Sequence, residues 1–234
     1  MRHGKRIGVI IPALNEERAI GRVIADIPAW VDEIVVVDNG STDQTCGVAH
    51  AAGARVVAEP QRGYGIACQT GIAALIDADI VVFLDGDYSD HPGEMARLVD
   101  PIAKGASALV IGSRVTGSAA PGALTPQQRF GNGLACHLIR QIFGVTFTDL
   151  GPFRAIDRDA LCQLGMTDRA YGWTVEMQIR ALRQGLAVSE VPVSYRPRIG
   201  QSKISGTLKG SALAGFTILR IIARSALERP APLL

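Results

Sequence analysis

No run without Asp, Glu, Lys or Arg exceeds 14 residues in this 234-residue chain. A helix that crosses a bilayer needs about 20 apolar residues, so no span is expected. Residues 1–6 are basic and lead into an apolar stretch, but Asn15, Glu16 and Glu17 end it and no small-residue cleavage site follows. No secretory signal is therefore expected, and a cytoplasmic location is. Cysteine is scarce. Cys46, Cys68, Cys136 and Cys162 form no CxxC pair, which points to reduced, mostly packed thiols. The four histidines form no ligand-like pair, against a zinc site. Aromatic residues are 5% and do not interleave with basic ones, which argues against nucleic acid as a partner. Two phosphate-binding signatures are also missing. No GxxxxGKS or GxxxxGKT occurs, and Arg62-Gly63-Tyr64-Gly65 lacks the third glycine of GxGxxG, so P-loop and dinucleotide readings fall away.

What is present suits a folded domain: 47% hydrophobic and 20% charged residues. Net charge is only +2 but unevenly spread. Residues 196–234 hold seven basic residues against Glu228, a net of +6, which leaves the rest at −4. A basic C-terminal segment on an acidic body suggests anionic ligands or an anionic membrane surface near that end.

Short apolar runs rich in branched residues at 6–11, 33–37, 55–58, 80–84 and 108–111 read as buried strands. Helical patterns at 17–27, 42–52, 64–76 and 93–104 lie between them. This alternation predicts an α/β fold, an open, mostly parallel sheet flanked by helices. In such sheets ligands bind beyond the C-terminal strand ends. Residues 115–126, rich in Gly, Ala, Ser, Thr and Pro, read as a flexible loop. A helix at 125–142, capped by Thr125 with Pro126 at its first position, a helix at 174–184, a strand at 187–195, a polar loop at 196–205 and a helix at 208–227 complete the reading.

The strand ends carry the chemistry. Asp85-Gly86-Asp87 follows the most apolar strand. Side chains two apart on an extended segment face the same way, so both carboxylates meet at the sheet edge, with Gly86 allowing close backbone approach. Clustered carboxylates repel unless a cation sits between them, which suits Mg²⁺ or Mn²⁺. The alternative is a solvated acidic turn. Asp38 ends the second strand and could accept from a base or ribose hydroxyl, while Ser41 or Thr42 caps the next helix. Asn15 reads as a cap in the first strand–helix turn.

In order, 10–17 (IIPALNEE), 37–43 (VDNGSTD), 62–65 (RGYG), 85–87 (DGD) and 112–114 (GSR) resemble glycosyltransferase family 2, with its GT-A fold. Further on, 149–154 (DLGPFR), 190–193 (EVPV) and 198–203 (RIGQSK) resemble its polyprenyl-phosphate or dolichyl-phosphate mannose or glucose synthase branch. The resemblance covers residue 6 to about 210, so a GT-A domain over 1–207 and a C-terminal amphipathic helix or tail over 208–234 are expected. It implies a UDP- or GDP-hexose donor held by Pro12, Leu14, Asn15, Glu16, Asp38, Arg62, Gly65, Asp85 and Gly86. It implies a metal on Asp85 and Asp87. Ser89 stands where relatives often have Gln, and Asp90 competes with it as an oxygen donor. Arg114, Arg129, Arg198 and Lys203 would hold a lipid-linked phosphate acceptor, and the hexose would transfer with inversion. Asp149 and Glu176 are candidate acid/base groups; Glu176 can instead pair with Arg180 on its own helix.

Three alternatives remain open at this stage: a soluble acceptor, a nucleotidyltransferase, and a noncatalytic nucleotide-sugar-binding protein. The nucleotidyltransferase reading lacks the early glycine-rich loop with Arg and Lys. The last helix either lies at the membrane surface, making the protein peripheral there, or packs on the core or on a second copy in a homo-oligomer.

Overall fold

The computed structural model describes residues 1–200 and 208–227, excepting the side chains of 208–214. Lys203 lies outside the described residues. The strands are β1 (Ile7–Ala13), β2 (Glu33–Asp38), β3 (Arg55–Ala58), β4 (Ile80–Phe83), β5 (Leu109–Ala119), β6 (Arg154–Asp157) and β7 (Val188–Tyr195). Among the described residues they form one sheet in the order β3-β2-β1-β4-β6-β5-β7. β6 runs antiparallel to β4 and β5; the other pairs are parallel.

The helices are α1 (Ile20–Ala25), α2 (Thr45–Ala51), α3 (Tyr64–Ala74), α4 (Met95–Ala103), α5 (Pro126–Phe143), α6 (Arg158–Leu164), α7 (Trp173–Arg183) and α8 (Leu208–Leu227). They cover both sheet faces, as two cores show. Ile10, Val35, Val37, Val81 and Phe83 bury against α3, α5 and α7. Val9, Ile11, Val36, Val82 and Leu84 bury against α1 and α4. Neighbouring strand residues thus enter opposite cores, which is why these strands read as continuous apolar runs. α5 begins as expected: Thr125 Oγ1 accepts from Gln128 N at 3.2 Å, and the Gln128 side chain closes a capping box.

Four features depart from the sequence reading. The 115–126 stretch is not all loop, because β5 runs on to Ala119 and pairs with β7 through a register shift between Ser113 and Ser118. Gly117 makes this contact feasible, since a Cβ there would lie 2.0 Å from Val193 O. Asn15 is not the cap of α1, which begins at Ile20 after Ala19: it takes a left-handed backbone (φ 53°), and its Oδ1 accepts from Thr42 N at 2.7 Å. α2 starts at Thr45, whose N–H goes to Asp43 Oδ1, so neither Ser41 nor Thr42 is its cap. Of the four thiols, Cys68 and Cys136 are buried but Cys46 and Cys162 are exposed.

The last helix does pack on the protein. Ile222 is buried in the core, with Ile218 and Ile221 against it, and α8 touches α5 and α7. Its outer side leaves Phe216 and Leu219 exposed. No helix among the described residues is long and apolar enough to cross a membrane.

Candidate active site

The C-terminal ends of β1, β2 and β4 converge on one face. Asn39 ties the first rims together: its N–H donates to Ala13 O (2.8 Å), its Nδ2 to Glu59 O and Gln61 O, and its Oδ1 accepts from Gly63 N. Asp38 is nearly buried and accepts from Ser41 N at 3.1 Å. Arg62 donates to Gly40 O at 2.9 Å, holding the guanidinium over the turn after β2.

β4 ends at Phe83, one residue before the expected end, and 86–88 forms a turn. Asp87 therefore folds back and accepts from Ser89 N (2.9 Å) and Ser89 Oγ. The carboxylates remain mutual neighbours. Burial first, then Asp87 and Asp90, holds the Asp85 carboxyl well above the usual carboxylate range. Burial and Asp87 push Asp90 up to about 7. One Asp90 oxygen accepts from Asp85 N at 3.2 Å, while its buried Oδ1 finds no partner among the described residues.

Gly86 plays a different part from the expected one. A Cβ there would meet Ala13, Ile11 and Ile20 at an ordinary 3.5 Å, so its missing side chain faces the core. Ser89 is fully buried with its hydroxyl committed to Asp87, which leaves Asp90 as the better oxygen donor.

Arg198 reaches this cluster from the segment after β7. It donates to Glu16 Oε1 (2.8 Å) and pairs with Asp87 Oδ2 (3.1 Å). Two backbone bonds zip the segment alongside, Arg196 N to Ser89 O (3.0 Å) and Ile199 N to Asp87 O (2.9 Å). Arg196, to which the sequence reading gave no role, lies 3.3 Å over the Tyr88 ring and donates to Asp90 O at 2.9 Å. Its spacing of two from Arg198 was the available signal.

Other expected groups are engaged elsewhere. Arg114 grips Asp149 through Nε (2.8 Å) and Nη2 (2.6 Å), and its own N–H donates to the same carboxylate. Both therefore form a buried ion pair, which gives Arg114 and Asp149 a structural part beside the phosphate-binding and acid/base roles that the resemblance implies. Glu176 pairs with Arg180 (2.8 Å) and accepts from Thr167 and Asp168 N–H groups, so it is an anchor. Arg129 is exposed on α5, and among the described residues nothing ties its side chain to the carboxylates. Arg154 closes the 149–154 run. It is wholly buried at the start of β6 and donates to the carbonyls of Leu150, Gly151 and Thr174.

Gly65 is a packing glycine. Gly65 N and Ile66 N donate to Ala170 O and Arg169 O at 3.1 Å, so the first turn of α3 is closed by backbone. A Cβ on Gly65 would lie 2.2 Å from Asp168 O. Gly65→Ala is expected to cost about 1–3 kcal/mol by overpacking, read by urea denaturation. An unchanged midpoint would mean that the 168–170 turn does not clamp α3.

Among the described residues no three His, Cys, Asp or Glu side chains form a ready-made metal cage. A clustered pair with a third carboxylate beside it, burial-raised carboxyls and an orphaned oxygen instead suit a cation that takes its remaining ligands from substrate phosphates, as Mg²⁺ and Mn²⁺ do.

Carboxylates gathered beyond the ends of parallel strands place a candidate ligand site at the sheet edge of an α/β protein. The model of glycosyl transferase family 2 matches residues 8–165, and the chain belongs to that family. An uncharacterized glycosyltransferase of Mycobacterium tuberculosis is 39% identical over 223 residues, 94% of this chain and 99% of the relative. A dolichyl-phosphate hexose transferase of Haloferax volcanii is 33% identical over 219 residues, 92% and 93% of the two chains. A crystal structure of glucosyl-3-phosphoglycerate synthase from Mycobacterium tuberculosis, in complex with Mn²⁺, UDP and glucosyl-3-phosphoglycerate, superposes with a TM-score of 0.77 at 28% identity. It covers 95% of this chain and 80% of that one. The fold is GT-A.

Proposed function

We propose that this glycosyltransferase moves a hexose, with inversion, from a UDP- or GDP-sugar to the phosphate of a polyprenyl phosphate. The observation that carries the acceptor chemistry is the fate of Asp149 and Glu176. Both are engaged in ion pairs with arginines, so this reading assigns neither of them as a base to an acceptor hydroxyl. A phosphate acceptor needs no such base, because its oxygen is already ionised near neutral pH. That oxygen attacks the anomeric carbon, the bond to the donor diphosphate breaks, and its electron pair leaves on the diphosphate.

In this reading Glu16 and Asp38, with Pro12, Leu14 and Asn15 around them, hold the nucleoside. Asp85 and Asp87, aided by Asp90, would hold Mg²⁺ or Mn²⁺, which supplies Lewis-acid neutralisation of the departing diphosphate. Arg198, balanced between Glu16 and Asp87, offers a guanidinium to phosphate oxygens. Lys203 extends the same basic segment. A lipid acceptor is supported by the full-length likeness to the dolichyl-phosphate hexose transferase. It is also supported by exposed Phe130 and Leu134 on α5 and Phe216 and Leu219 on α8, two helices that touch. Such apolar residues beside a basic segment suit peripheral binding to an anionic membrane.

A second reading, transfer to a soluble phosphorylated acceptor, is favoured by the likeness to glucosyl-3-phosphoglycerate synthase. Radiolabelled UDP- and GDP-hexoses offered with Mn²⁺ and either polyprenyl phosphate or 3-phosphoglycerate separate the two. Label in the organic phase is expected. Label confined to the aqueous acceptor would replace the first reading by the second.

A further inference from the structure

Between α7, α8 and the 167–170 turn lies a cleft of about 530 Å³, formed apart from the strand-end carboxylates. Five arginines line it, Arg169, Arg180, Arg183, Arg220 and Arg224, against two carboxylates. Each carboxylate makes local contacts. Glu176 holds Arg180, and Asp168 Oδ1 accepts from Ala170 N (2.8 Å) and Gly172 N (2.9 Å). Arg169 and Arg220 make no ion pair among the described residues.

The walls are set by packing. A Cβ on Gly172 would lie 1.9 Å from Ile221 Cδ1, so α8 presses on the start of α7. Arg183 Nη1 donates across the gap to Ser225 O at 3.3 Å. Positions 217, 220, 221 and 224 share one side of α8, so its two arginines turn toward α7 while Phe216 and Leu219 remain exposed.

Five guanidiniums facing two carboxylates, one of them paired with Arg180, give the cleft a net positive charge. We propose that this cleft is a second anion site that binds a phosphate monoester or diphosphate group. Guanidinium forks match phosphate oxygens in bidentate pairs, and the volume suits a small ligand. Two sources share that chemistry, the phosphate headgroup of an anionic lipid and a soluble phosphorylated molecule. The site stands whichever acceptor the enzyme uses. Its lining also adjoins the start of α3, because the carbonyls of Ala170 and Arg169 accept from Gly65 N and Ile66 N.

Calorimetric titration of the intact chain with pyrophosphate in metal-free buffer tests the site. Binding is expected. Arg169→Gln/Arg220→Gln, two exposed substitutions that keep the ligand-free melting temperature, should weaken it at least tenfold, whereas Asp85→Asn should leave it unchanged. Flotation with phosphatidic acid vesicles, against phosphatidylserine vesicles of matched charge, identifies the source. A phosphatidic acid preference lost in the double variant supports a lipid headgroup. Pyrophosphate binding lost in that variant, without the preference, supports a soluble ligand. The site is overturned if the wild type shows neither behaviour, if the double variant keeps both, or if Asp85→Asn abolishes pyrophosphate binding.

Discussion

Asp85→Asn is expected to reduce transfer at least about 100-fold, the scale seen when one preorganised electrostatic contact to a transition state is removed. The fold should survive. Asp85 is half-buried, and no side-chain hydrogen bond among the described residues depends on its carboxylate. Its raised pKa means that neutral asparagine relieves a crowded cluster. Asp87→Asn should reach a similar loss by another route, because Asp87 also holds Arg198 and the 196–199 segment. The two variants separate in donor binding without metal: Asp85→Asn should be normal and Asp87→Asn weakened.

The pH dependence follows from the same carboxyls. A protonated carboxyl cannot bind a cation. Asp85 titrates above the ordinary carboxylate range, so metal-dependent donor affinity should fall with falling pH earlier than an ordinary carboxylate would dictate. Calorimetry of donor binding with Mn²⁺ across pH 5–8 checks this. Full activity of Asp85→Asn in chelator would sink the metal assignment.

The strands of the first half were legible because burial on both faces demands unbroken apolar, branched runs, and 33–37 and 80–84 are such runs. β5 beyond Ser113 was not, because its Gly, Ser and Thr residues are chosen for close approach to Val193, a contact that local composition does not encode. α6 escaped for lack of length: it has seven residues, and Asp157 caps it by accepting from Asp159 and Ala160 N–H groups.

The candidate site was legible in residue type but not in pairing. Asp85, Asp87, Glu16 and Arg198 are the groups that meet at the strand ends. That Arg198 lies between Glu16 and Asp87 depends on a partner 182 positions away, which no local pattern reveals. Gly65 stood among the donor-holding residues by resemblance alone; the close neighbour that gives it a packing role, Asp168 O, is more than 100 positions away and leaves no local signal.

Arg114 gives the sharpest separation between the reading by resemblance and the structure. A phosphate-binding arginine at a site rim would leave stability nearly unchanged when removed. In the structure its partner Asp149 is wholly buried and takes three hydrogen bonds from Arg114. Burial works against the guanidinium's charge, yet the Asp149 carboxylate more than offsets it and raises the Arg114 pKa. Removing one partner of such a pair leaves an uncompensated buried charge and costs about 3–5 kcal/mol. That is a large share of the roughly 5–15 kcal/mol that holds a domain folded. Arg114→Met should therefore shift the urea midpoint strongly. Arg114→Met/Asp149→Asn removes the stranded charge while keeping an acceptor for the residue 114 N–H, and it should recover more than half of the loss. Circular dichroism during urea denaturation of the three proteins reads both effects. If Arg114→Met lost less than about 1 kcal/mol, the scale of an exposed ion pair, while transfer collapsed, Arg114 would belong to the substrate site and Asp149 would be only its orienting partner.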